Sequence, residues 1–191
     1  MTTKTRIQAG TAMAPRELVT IHSKRIRIPD PRMLVHLQFR RFAGCPICKL
    51  HLRSIAQRHG ELVTAGIHEV VVFHSPAAAM LRHEGALPFS VIADPEEKLY
   101  GKFGVERSVR SILDPRAWGA VVRGLAMFGR GGRNSGESAL GLPADFLIAP
   151  SGEVLASKYG AHADDHWSVD EILALSGARL RKQPMQRGKG A

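Results

Sequence analysis

The stretch Phe39-Arg40-Arg41-Phe42-Ala43-Gly44-Cys45-Pro46-Ile47-Cys48-Lys49-Leu50 decides the reading of this chain. It holds both cysteines, three positions apart, where a strand-like run gives way to a helix-like one. Upstream, Leu34-Val-His-Leu-Gln-Phe39 places Val35, Leu37 and Phe39 on one face of a strand. Downstream, Cys48, Leu52, Ile55 and Ala56 form one helical stripe, while Lys49, Arg53 and Gln57 face away. Pro46 suits the first helical position, where its missing N–H costs nothing. Gly60, after Arg58 and His59, marks the expected stop.

Working outward, Ile67-His-Glu-Val-Val-Val-Phe73 is a strand apolar enough for burial on both faces. Ser75-Pro76 opens a helix through Leu81, and Phe89-Ser-Val-Ile-Ala93 is a further strand. Asp94-Pro95-Glu96-Glu97 reads as N-cap, proline at the first position and capping-box glutamate, with Leu99 and Phe103 turned inward. Asp114-Pro115 caps a helix with Trp118, Val121, Val122 and Leu125 on one side, followed by a Gly/Arg/Asn/Ser loop over 129–136. Residues 106–140 therefore read as a helical insertion lying over the main sheet. Leu142 to Ile148 and Val154 to Tyr159 form a hairpin around Pro150-Ser151-Gly152. Ser168-Val-Asp-Glu171 opens a last helix with a second capping box. Ile21–Ile28 reads as a short edge strand. The order predicts an α/β fold with a central mixed sheet flanked by helices. The domain spans 21–178, between a flexible segment 1–20 and a basic flexible tail 179–191.

At 191 residues, 44% hydrophobic and 23% charged, the composition is that of one globular domain. No apolar run approaches the roughly 20 residues that span a bilayer, and residues 1–10 lack the apolar segment of a secretory signal. A cytoplasmic protein with no membrane partner is the expectation. The net charge of +10 is large, but Lys4, Arg6, Arg16, Arg179, Arg187 and Lys189 sit in the end segments. No aromatic residues interleave those tails as a single-strand stacking surface requires, so solvated tails rather than a nucleic-acid partner are expected.

Two cysteines spaced C-x-x-C in a reducing compartment argue for a working dithiol. The thiolate is the reactive form, and helix N-termini and nearby cations favour it. Cys45 precedes the helix and follows two arginines, of which Arg40 is favoured to face it, so Cys45 is assigned as nucleophile. Cys48, one turn in on the apolar stripe, is assigned as the resolving thiol. Two plainer alternatives stand beside this. Cys45, Cys48 and His51 suit zinc if His74, His162 or His166 supplies a fourth ligand, and the pair is otherwise inert core. The cluster His162, Asp164, Asp165 and His166 reads as an exposed loop. No cofactor and no resident metal are expected.

The segment 39–48 resembles the active-site loop of peroxiredoxin-like proteins of the AhpC/TSA group. Leu87-Pro-Phe-Ser-Val-Ile-Ala-Asp-Pro-Glu-Glu-Lys-Leu-Tyr-Gly-Lys-Phe-Gly-Val105 and Leu142-Pro-Ala-Asp-Phe-Leu-Ile-Ala-Pro-Ser-Gly152 look like later blocks of that group. The likeness runs over most of residues 30–176. It implies a thioredoxin-like fold in which Pro143 follows a cis peptide bond and packs against the dithiol. It implies hydroperoxide reduction, with recycling by an external thiol such as a thioredoxin or a low-molecular-weight thiol. The chain departs from the peroxiredoxin pattern Pro-x-x-x-Thr/Ser-x-x-Cys. Counted back from Cys48, Cys45 stands at the hydroxyl position and Arg41 at the proline; counted back from Cys45, Phe42 and Gln38 stand there. That departure keeps a protein disulfide reductase as an alternative. A redox-inactive basic binding domain is the reading from a different class.

Overall fold

The computed structural model describes residues 5–84, 86–105, 114–129 and 141–182. Among the described residues seven strands and six α-helices follow in this order: β1 (Arg16–Val19), β2 (Arg25–Ile28), β3 (Leu34–Arg40), α1 (Pro46–Gln57), α2 (His59–Thr64), β4 (Ile67–Phe73), α3 (Ala77–Glu84), β5 (Ser90–Ala93), α4 (Lys98–Lys102), α5 (Trp118–Phe128), β6 (Ala144–Ile148), β7 (Val154–Tyr159) and α6 (Val169–Lys182). The main sheet has the order β5-β4-β3-β6-β7. β3, β4 and β5 run parallel, and β6 and β7 are antiparallel to their neighbours. This is the expected mixed sheet with helices on its faces. Among the described residues no helix is long and apolar enough to cross a membrane.

The central strand has two unlike faces. Val35, Leu37 and Phe39 join Val70, Val72, Phe146 and Ile148 in an apolar layer closed by Tyr100 and Phe103. The other layer joins Leu52 and Ile55 of α1 and Ile172 of α6 to Val71, Phe73 and Leu147 of the sheet. Alternation sends His36, Gln38 and Arg40 of β3 to that second face, where all three are buried. Strand register sets Glu69 of β4 opposite His36, and Asp145 of β6 opposite Gln38.

Several expectations are corrected. β1 and β2 form a separate antiparallel hairpin in place of one edge strand over 21–28. Residues 5–20, expected to be loosely held, are tied down by Ile7 N–H to Tyr159 Oη (2.7 Å) and Met13 N–H to Gly152 O (2.8 Å). Gly60 does not end the first helix. The break comes at Arg58, and Gly60 lies inside the short α2 that follows. Asp94 does not cap a helix starting at Pro95. A turn intervenes, Glu97 is the cap with φ +53°, and Asp94 instead accepts from Lys98, Leu99 and Tyr100 N–H. The Ser168/Glu171 capping box forms as read.

α5 packs on α1 rather than over the sheet. Its inward residues are Ala120 and Gly124, while Trp118 and Val122 are 61% and 66% exposed. A Cβ on Gly124 would lie 2.8 Å from the Pro46 carbonyl oxygen, so the small residue is what allows the two helices to approach. The loop expected over 129–136 falls, beyond Gly129, outside the described residues, as do 106–113. Within the tail expected over 179–191, α6 continues to Lys182, and residues 183–191 lie outside the described residues.

Candidate active site

The two thiols sit where β3 ends and α1 begins. Cys45 is the N-cap of α1, with Pro46 at its first position, and the Cys45 carbonyl accepts from Lys49 N–H (2.9 Å). The loop before it is staked at two points. Ala43 N–H donates to Ser75 Oγ (2.7 Å) and Gly44 N–H to Glu84 Oε1 (3.2 Å). Gly44 has φ +75°, a conformation that favours glycine, and the His83 ring would lie 3.2 Å from a Cβ there.

Both cysteines are reduced and buried, Cys45 to 1% and Cys48 to 4% exposure. Sequence reasoning favoured Arg40 beside the thiolate, and the structure places Arg41 there: its Nη2 lies 3.0 Å from Cys45 Sγ. Arg40, the last residue of β3, instead points into the sheet face beneath α1, alongside His36 and Gln38. It donates to Asp145 Oδ1 (2.6 Å), His51 Nε2 (2.9 Å) and the Phe39 carbonyl (3.0 Å). A cleft of about 140 Å³ reaches Cys45 and is lined by Arg41, Phe42, Pro46, Ile47, Val121 and Leu125.

Pro143 is not the opposing cis proline. Among the described residues the only cis peptide bond is Ile28–Pro29. Pro143 instead sits just before β6, its carbonyl accepting from Gly160 N–H (2.8 Å) just after β7 and its ring covering Gly160. His51 does not join the cysteines in a ligand set. Its ring stacks on His166 at 3.6 Å and faces Arg40. No three metal-binding side chains converge among the described residues. Asp165 is held by Lys158 (2.8 Å) and Asp164 by His166 (3.2 Å), as members of a structured loop.

The thiols titrate as a pair. Cys45 hydrogen-bonds to Cys48, and the cations Arg41 and Arg40 and the Arg41 backbone N–H also favour charge there; Cys48 is held well below the usual thiol range. Burial, and then the charge on Cys48, push Cys45 well above that range. The site thus favours one negative charge on the pair of sulfurs beside Arg41.

Glu84 was missed by sequence reasoning. Burial pushes its carboxyl up to about 7, against the Gly44 N–H and Lys49, which favour the charged form, while Cys48 adds to the rise. A raised carboxylate subtracts stability as pH rises between the unfolded and folded values, 4.5 and about 7. Glu84→Gln is therefore expected to unfold like wild type at pH 4, and to be more stable by about 3 kcal/mol at pH 8. Urea denaturation at the two pH values checks this; an equal gap at both would show that Glu84 does not titrate with folding.

With this geometry in view, the model of the AhpC/TSA antioxidant enzyme family matches residues 54–162, more than half of the chain. The chain belongs to the AhpC/TSA family. The matched stretch begins six residues beyond Cys48, so the dithiol itself lies ahead of it. No curated protein matches the sequence. Among solved structures, peroxidoxin BcpB from Mycobacterium tuberculosis is 16% identical, with 91% of this chain and 98% of that one covered and a TM-score of 0.65. A mutant of the peroxiredoxin 6 of Arenicola marina is 18% identical over 97% and 81%, with a TM-score of 0.66. The reduced 2-Cys peroxiredoxin of Plasmodium vivax is 13% identical over 97% and 91%, at 0.65. At these identities the likeness establishes the fold, the thioredoxin-like fold of peroxiredoxins. As an AhpC/TSA member the chain is an antioxidant oxidoreductase.

Proposed function

We propose that this AhpC/TSA enzyme reduces a hydroperoxide through Cys45 and Cys48, and that an external thiol, a thioredoxin or a low-molecular-weight thiol, recycles it in the cytoplasm. The observation that carries this reading is the Arg41 guanidinium 3.0 Å from Cys45 Sγ at the floor of a cleft, with Cys48 one helical turn behind. Access supports Cys45 as the attacking sulfur. Cys45 lines the cleft and Cys48 does not. The Cys45 sulfur attacks the outer peroxide oxygen while the proton of the pair rests on Cys48. The O–O bond breaks, Cys45 becomes a sulfenic acid, and the alkoxide leaves with a proton from solvent as an alcohol. The Cys48 thiol then condenses with the sulfenic acid, releasing water and forming the disulfide. Two thiol–disulfide exchanges with the reductant restore both thiols. Arg41 remains charged throughout and stabilises anionic sulfur.

Protein disulfide reduction is the second reading. It is favoured by the absence of a hydroxyl residue at the peroxiredoxin position in either register, and by the exposed apolar residues Trp118, Val122 and Met127 on the helix that walls the cleft. Stopped-flow oxidation by peroxide, run beside insulin reduction, separates the two. Cys48→Ser is expected to form a sulfenate, trapped by dimedone, and no disulfide; Cys45→Ser is expected to form neither. Sulfenate on Cys48 in the Cys45→Ser protein would reverse the order of attack. A wild-type peroxide rate no faster than that of free cysteine would remove the peroxidase reading.

A further inference from the structure

Five polar side chains fill the middle of the sheet on the face covered by α1 and α6. The bonds run in one line. Both Glu69 carboxylate oxygens lie 2.8 Å from His36 Nδ1, and Gln38 donates to the same carboxylate. His36 Nε2 lies 3.3 Å from Asp145 Oδ1, which also takes the Arg40 guanidinium at 2.6 Å. Glu69, His36, Gln38 and Asp145 are fully buried, and Arg40 is 1% exposed.

Such a strip is a poor way to hold a sheet together. Burying these charges costs more than an apolar filling of the same volume would. Asp145 Oδ2, Gln38 Oε1 and Arg40 Nε also lack a hydrogen-bond partner among the described residues. The strip does lead to the dithiol. Arg40 reaches α1 at His51, which lies one turn beyond Cys48 on the same buried face of that helix. Its charge acts on Cys48 from there.

We propose that Asp145 is a positioning residue of the dithiol: backed by His36 and Glu69, it fixes the Arg40 guanidinium beneath α1 and partly neutralises it. Asp145 thereby sets how strongly that buried cation favours ionised Cys48 over the disulfide. The proposal takes the thiols of the proposed active site as its reporter but needs no peroxide chemistry. Among the described residues, Cys45, Arg41, Glu84 (itself beside Lys49) and Tyr100 are the other charged or titratable groups that bear on Cys48, and none of them is changed in the test. Asp145 itself faces Arg40, His36 and, across from α6, Glu171.

The test is thiolate absorbance and iodoacetamide labelling against pH, on the reduced full-length chain. Asp145→Asn leaves Arg40 less neutralised and is expected to move the midpoint down by about one pH unit; Arg40→Gln is expected to move it up by about as much. The double variant is expected to fall between them. The disulfide of Asp145→Asn should also be the more easily reduced. A purely structural role would loosen the sheet in both variants and move both midpoints the same way, or neither; either result overturns the proposal. Far-UV circular dichroism verifies folding. If Asp145→Asn does not fold, His36→Gln replaces it, and by leaving Asp145 wholly to Arg40 it must raise the midpoint; a fall or no change would be equally decisive against the proposal. Failure of the peroxidase reading alone leaves these midpoints unaffected.

Discussion

Arg41→Met is expected to slow peroxide oxidation of Cys45 at pH 7 by about two orders of magnitude, while the protein still folds. The guanidinium is almost fully buried, and its Nη2 sits 3.0 Å from Cys45 Sγ. A cation at that separation, in surroundings of effective dielectric near 20, interacts with a thiolate by roughly 5 kcal/mol before desolvation is counted. A net loss of about 2.7 kcal/mol is a hundredfold in rate. Burial works against the charge on Arg41, but Cys45 and Cys48 outweigh it and raise the group further, so the cation is present at every working pH. Methionine keeps the apolar stem and leaves no charge. Arg41→Lys should recover part of the rate, since a compact ammonium supplies charge without the guanidinium fork. The measurement is second-order oxidation at several pH values. If Arg40→Met slowed the reaction more than Arg41→Met did, the assignment of Arg41 to the sulfur would fail.

That assignment shows where sequence reading stops. Periodicity located the strand, the helix and the junction, because apolar alternation and the 3.6-residue stripe are local. It could not say which of two adjacent arginines reaches the thiols, since Arg41 lies beyond the last residue of β3, where the loop to α1 rather than strand alternation sets its direction. Glu69 offered a clue that the reading passed over. A glutamate inside a strand apolar enough for burial on both faces must have a buried partner, and His36 and Gln38 on the next strand supply it. Asp145 is the same case on β6. Glu84 carried no such mark, because its position over Gly44 depends on how α3 packs. For α5 the pattern misled. Its large apolar residues suggested the inward face, but close approach to α1 required the small ones, Ala120 and Gly124. Pro143 was placed by resemblance, and its trans peptide and carbonyl bond to Gly160 show instead a residue that closes the end of the β6–β7 hairpin.

The polar strip also makes a stability prediction of comparable size, because His36 is charged where it is buried. Burial pulls its imidazole down, but Glu69 and Asp145 outweigh this and raise it to about 9, against an ordinary 6.5. A histidine raised on folding contributes stability that is complete below 6.5 and is lost as pH climbs through the folded value. Wild-type stability should therefore fall by about 3 kcal/mol between pH 6.5 and 9. Glu69→Gln keeps the shape and an acceptor for His36 but removes the larger of the two charges holding the proton. In that variant the imidazole is expected to fold neutral, so the variant is less stable than wild type by about 3 kcal/mol at pH 6, and the gap narrows toward pH 10. Urea denaturation across that range reads both curves. A gap that stays constant from pH 6 to 10 would mean that His36 is buried neutral and that Glu69 acts only as a hydrogen-bond acceptor. Asp145 would then be left to balance Arg40 alone, with no second cation drawing on its charge.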